Sequence, residues 1–161
     1  MNLHDYIIAD VRLRSEIDLV GNGLKNFKPF EVTISTDTQA DCTLKQENDI
    51  NKDNIVIIRE ISSFIFSDTN AQCTLQATNE GYLFTIAEAK ADADKHIFVY
   101  NTANRSIATN MQCNADHYIA FMRFGLWIMF GIAIAPMKAI AIHSSTIVSQ
   151  GRGVLFLGES G

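Results

Sequence analysis

From Tyr118 to Ala135 the chain is almost entirely apolar, and Arg123 is its one charge. A run of that kind must be withdrawn from water, either into a protein core or into a bilayer. A bilayer span takes about 20 apolar residues. The uncharged part here, Phe124 to Ala135, is twelve residues long, and Arg123 stands where charge is costly inside a membrane. The run is therefore expected to be a helix buried between layers, capped at Asn114 or Asp116 and ended by Pro136. Gly125 and Gly131 lie six residues apart, on nearly opposite helix faces. They permit close backbone packing and do not make a G-x-x-x-G pairing face. Phe121, Phe124, Trp127 and Phe130 read as core.

The residues before this run follow a different grammar. Val11 and Leu13 alternate with Arg12 and Arg14, and Phe30, Val32 and Ile34 with Glu31, Thr33 and Ser35. That period of two marks half-buried strands. Ile55 to Ile58 is a continuous β-branched run, expected to be a strand covered on both faces. Phe64 to Phe66, Tyr82 to Ile86 and Ile97 to Tyr100 are further strand candidates. Turn-forming clusters separate them: Gly21 to Gly23, Asn48 to Asn54, Asp68 to Asn70, Asn79 to Gly81 and Asn101 to Asn104. After the helix, Ala139 to Ile142 and Thr146 to Val148 read as strand, Ser149 to Gly153 as a tight turn and Val154 to Leu157 as a second strand. The expectation is an α+β chain. A β-rich domain over residues 1–112, an antiparallel sheet or sandwich, is followed over residues 113–161 by a buried helix and a β-hairpin.

Composition excludes several classes. Of 161 residues, 47% are apolar and 19% charged, enough to fill a core and unlike a disordered chain. The formal net charge of −5 gives no electrostatic reason to expect nucleic acid, which favours basic surfaces. Cys42, Cys73 and Cys113 are an odd number without a C-x-x-C pair, which fits a reduced compartment better than a disulfide framework or zinc knuckle. Met1 to Asp5 show no basic segment leading into an apolar one, so a cytoplasmic protein is expected.

The last eleven residues carry the chemistry. Gly151-Arg152-Gly153 forms a turn, Val154 to Leu157 an apolar strand, and Gly158-Glu159-Ser160-Gly161 the start of the phosphate-loop pattern G-x-x-x-x-G-K-[ST]. A strand running into small residues lets backbone N–H groups turn toward a phosphate. The run AIHSSTIVSQGRGVLFLGESG, with His143 fifteen residues before Gly158, resembles the approach to the phosphate loop in the HPr kinase/phosphorylase family, which shares its fold with phosphoenolpyruvate carboxykinase. The clear similarity covers about the last twenty residues; with an apolar helix upstream it extends, more weakly, over about forty-five.

The resemblance implies a kinase core beginning near residue 113 and interrupted inside its phosphate loop. Gly158, Glu159, Ser160 and Gly161 would be the first part of an ATP site, and His143 would lie beside the phosphates. There an imidazole can hydrogen-bond a phosphate or orient a reacting group; the plainer role for His143 is a strand-end hydrogen bond. The intact protein would use ATP and Mg²⁺ to phosphorylate a serine or small hydroxyl acceptor, on a protein or a small molecule. The family's Lys, Mg²⁺-holding hydroxyl and acidic base fall beyond Gly161, so this chain alone is expected to bind no cofactor and transfer no phosphate. An interrupted core leaves an unpaired sheet edge and an uncovered apolar helix face, so a homo-oligomer is expected.

The alternative is a non-catalytic β-rich binding or assembly module, since the first hundred residues hold no catalytic signature. A third reading is a membrane-tethered protein using Tyr118 to Ala135. Asp92-Ala93-Asp94 lacks the Gly and Glu of a calcium loop. Gly21-Asn22-Gly23 does not continue into a dinucleotide fingerprint. His143-Ser144-Ser145 is not a nucleophile elbow. His4, His96 and His117 show no metal spacing.

Overall fold

The computed structural model describes residues 3–33, 38–50, 54–90 and 94–139, and the backbone of 145–149 and 152–156. Among the described residues, eleven strands and one long helix form the α+β architecture: β1 His4–Ile8, β2 Val11–Ser15, β3 Glu31–Val32, β4 Cys42–Gln46, β5 Ile57–Phe66, β6 Ala71–Thr78, β7 Gly81–Glu88, β8 His96–Asn101, β9 Ser106–Thr109, α1 Tyr118–Ile134, β10 Ser145–Ser149 and β11 Arg152–Phe156.

The first nine strands make one sheet in the order β3-β1-β2-β4-β9-β8-β7-β6-β5. It is mixed, and this corrects the expected antiparallel sheet or sandwich. Strands β5 to β9 are an antiparallel meander, with the expected turns between β5 and β6, β6 and β7, and β8 and β9, and β3-β1-β2 is a second antiparallel unit. Strand β4 joins them, parallel to both β2 and β9. Strands β4, β6 and β9 were not among the expected ones, and neither was β1. Its turn, Ala9-Asp10, has positive φ at both residues (50° and 64°), the geometry that closes a two-residue hairpin, but without the Asn-Gly or Asp-Gly that announces it.

Alternation holds in β2 with a modification. Leu13 and Ser15 are buried on the core face, yet Arg12 is buried too. Asp5 makes this possible, because its carboxylate accepts bonds from Arg12 Nε (3.0 Å) and Nη2 (2.9 Å) and from Arg14 Nε (3.1 Å). Burial alone would raise the Asp5 pKa, but the Arg12 and Arg14 hydrogen bonds outweigh it and hold the carboxyl below its ordinary value.

Three further expectations change. Residues 57–66 form one strand where two were expected, and it is the sheet's last. It is not covered on both faces: Val56 is 58% exposed, Ile58 65% and Ile65 52%. The strand of Phe30 to Ser35 shrinks to Glu31–Val32, because Lys25–Phe30 is a 3-10 turn containing Pro29; residues 34 and 35 lie outside the described residues. Trp127 is 41% exposed, on an outward helix stripe with Ile119 and Arg123.

Helix α1 packs on one sheet face and shares its core. Phe121, Met122, Leu126, Met129 and Ala133 are buried in one cluster with Tyr6, Leu44, Phe84, Phe98 and Ile107. Phe124 stacks on Phe66 at 4.4 Å and meets Phe64 and Phe84 edge-on. Gly125 lies against the Phe98 ring: a Cβ there would stand 2.3 Å from Phe98 Cε2. Neither Asn114 nor Asp116 caps the helix. The N-cap is His117, left-handed at φ 56°, with no side-chain cap bond. The helix ends at Ile134, and Ala135–Met137 continues it as a 3-10 turn holding Pro136. Tyr118–Met137 is long and apolar enough to cross a membrane by length and composition, and eight residues of α1 are buried in the fold.

Candidate functional site

Strands β10 and β11 form an antiparallel hairpin, Ser145 opposite Phe156 and Ser149 opposite Arg152. Pairing thus begins at Arg152, inside the expected turn of Ser149 to Gly153. The residues expected to carry chemistry, His143, Gly158, Glu159, Ser160 and Gly161, lie outside the described residues, as do residues 140–142 of the expected strand. His143 precedes Ser145 by two residues, and Gly158 follows Phe156 by two.

The described residues place a group of polar and charged side chains at one end of the sheet, where β7, β8 and β9 meet the N-terminus of α1. A cleft of about 410 Å³ is lined by Asp94, Lys95, His96, Asn110, Gln112 and Asp116, among others. A smaller one, about 190 Å³, adjoins it and adds Glu88, Lys90 and Phe121. The walls are hydrogen-bonded. Asn110 Oδ1 accepts from the Ile97 N–H at 2.7 Å and its Nδ2 donates to Lys95 O at 3.1 Å. Gln112 Nε2 donates to Asn48 Oδ1 at 2.7 Å.

Charge is concentrated on Glu88. Lys90 Nζ lies 2.6 Å from one carboxylate oxygen and His117 Nε2 3.5 Å from the other. The hydrogen bond from Lys90, with its charge, outweighs burial and holds the Glu88 carboxyl below its ordinary range. His96 and His117 flank the Phe121 ring at 5.7 and 5.6 Å. Burial pushes the His96 imidazole below its ordinary value, and the Asp94 and Glu88 charges only partly oppose this. A neutral imidazole, a clamped carboxylate and several amide groups can hold a small polar group by hydrogen bonds. They do not form a nucleophile–base pair.

Sequence reading named His96 and His117 only to set them aside for want of metal spacing. They come together because β8 and the first turn of α1 pack on each other, which no local spacing records. No family model, no curated protein and no solved structure matches this chain.

Proposed function

We propose that this chain is the front part of an ATP-dependent kinase similar to the HPr kinase family. It phosphorylates a serine or small hydroxyl acceptor with ATP and Mg²⁺ once the chain continues past Gly161. One observation carries the reading: an antiparallel hairpin, β10–β11, directly precedes Gly158-Glu159-Ser160-Gly161, with His143 just before its first strand. A phosphate loop needs such a strand to deliver its backbone amides. In this reading His143 and the Gly158 to Gly161 segment face the ATP phosphates, and the nine-stranded sheet serves acceptor recognition or self-association. The reading also puts the protein in the cytoplasm, in keeping with three free cysteines.

Calorimetry with ATP and Mg²⁺ tests this, on the chain ending at Gly161 and on a form continued through the residues that follow it in the reading frame. Binding by the continued form alone is the expected result. A continuation without a Gly-Lys-Ser/Thr-like sequence, or no binding by either form, refutes it.

The second reading, a binding or assembly module, is favoured by β5. This edge strand and the residue before it leave Val56, Ile57, Ile58, Ile61 and Ile65 exposed, more apolar surface than a solvated edge normally shows. Capture of a protein partner that depends on these residues, without nucleotide binding, selects it.

A further inference from the structure

The geometry points to a zinc site on His4, Asp18 and Glu31, at the end of the sheet where β3 and β1 pair. It is independent of the kinase proposal. The register builds it. Tyr6 pairs with Glu31 across β1 and β3, so Glu31 shares a sheet face with Tyr6 and, two residues along, with His4. The segment after β2 then folds over this face. Ile17, Leu19 and Leu24 are buried there, and the Leu19 N–H donates to Tyr6 Oη at 3.1 Å. That fold sets Asp18 beside His4, with His4 Nδ1 3.9 Å from Asp18 Oδ1. One ligand atom from each of the three residues lies within 4.8 Å of the other two.

Those distances come near the shell of a small dication. Zinc holds nitrogen and oxygen ligands at about 2.0–2.2 Å, so tetrahedral ligands around it stand about 3.3–3.6 Å apart. The three side chains therefore draw inward by about 1 Å when the ion binds. An imidazole with two carboxylates favours zinc over magnesium or calcium, which prefer all-oxygen sets. Each acid is already positioned. Asp18 Oδ1 accepts the Gly21 N–H at 2.7 Å, and a Cβ at Gly21 would stand 2.2 Å from Asp18 Oδ2, so the loop closes tightly on the carboxylate. Glu31 Oε2 accepts from Lys28 Nζ, which leaves the second oxygen for a metal. The three residues are half-buried, shielded yet open to an entering ion. Three protein ligands leave a fourth position for water. Binding joins β1, β3 and the 16–24 segment at the sheet's edge.

Calorimetry with Zn²⁺, and the visible spectrum with Co²⁺ in its place, test the site on the full chain carrying Cys113→Ser, which removes the exposed thiol as a competitor. One equivalent is expected to bind and to raise Tm, because an ion that binds only the folded chain stabilises it. His4→Gln, Asp18→Asn and Glu31→Gln each weaken binding by about tenfold or more. Lys28→Gln, at an exposed side chain, strengthens it by removing a positive charge that competes with the ion for Glu31, a gain that misfolding cannot produce. No binding by the Cys113→Ser chain would mean that His4, Asp18 and Glu31 are neighbours without a metal. Binding unchanged by Asp18→Asn together with Glu31→Gln would place the ion elsewhere. Either result overturns the inference.

Discussion

Gly125→Ala measures directly how α1 sits on the sheet. In an isolated or solvent-facing helix this change stabilises by about 1 kcal/mol, since Gly is that much poorer than Ala in a helix interior. Here the added methyl would stand 2.3 Å from Phe98 Cε2 and 2.4 Å from Cζ. Carbon pairs prefer about 3.5–4.0 Å, so helix and ring would have to part by more than 1 Å. Phe98 is fully buried and packs against Phe84, so the ring has no room to turn aside. Overpacking of this kind costs about 1–3 kcal/mol, and at this distance the upper half of that range applies. Set against the propensity gain, the expected net loss is about 1–2 kcal/mol, a fall in Tm of about 2–8 °C for a chain of this size. Urea unfolding followed by far-ultraviolet circular dichroism and by the fluorescence of Trp127 reads it. Phe98→Leu in the same chain relieves the clash, so the double variant should lose less than the two single losses added. A Gly125→Ala chain more stable than the parent would refute the docking of α1 on β8.

Three other outcomes follow from buried and exposed groups. His96 has a folded-state pKa lowered by burial from 6.5; the unfolded chain takes up a proton that the fold declines, so stability should fall as pH drops through 6.5 toward that lower value, and His96→Gln should flatten this window in pH-dependent melts. Burial pushes the Cys42 thiol up to about 12 and the Cys73 thiol to about 11, while Cys113 is exposed; a thiol-disulfide reagent should therefore modify one cysteine per native chain quickly and the other two only on unfolding. Ile58→Lys with Ile61→Lys should shift the chain toward monomer in sedimentation velocity, since a charged edge resists pairing; a parent chain that is monomeric at its highest soluble concentration would show that the β5 edge does not self-associate.

The sequence was legible where structure depends on near neighbours. Val11 to Arg14 alternate because a strand turns successive side chains to opposite faces, and β2 lies there. Tyr118 to Ala135 reads as a helix because its apolar run is long and closed by a proline, and α1 covers all but the last residue of it, yet the helix packs on one sheet face and leaves Ile119, Arg123 and Trp127 outward instead of lying buried between layers. The turns at Asp68 to Asn70, Asn79 to Gly81 and Asn101 to Asn104 connect neighbouring strands as their residue types imply. The errors also have local causes. A β-branched run such as Ile55 to Ile58 looks the same in a buried central strand and on an exposed edge, because residue type does not record how many neighbours a strand will have. Only the tertiary structure decided that β4 runs parallel between β2 and β9, that Arg12 is buried against Asp5, and that Gly125 meets Phe98. It also assembled His4, Asp18 and Glu31, whose wide spacing in sequence hides them from any motif. Periodicity is set within a few residues of the chain, whereas strand order, sheet edges and three-residue sites are set by which distant segments close on one another, and that is settled by the packing of the whole core.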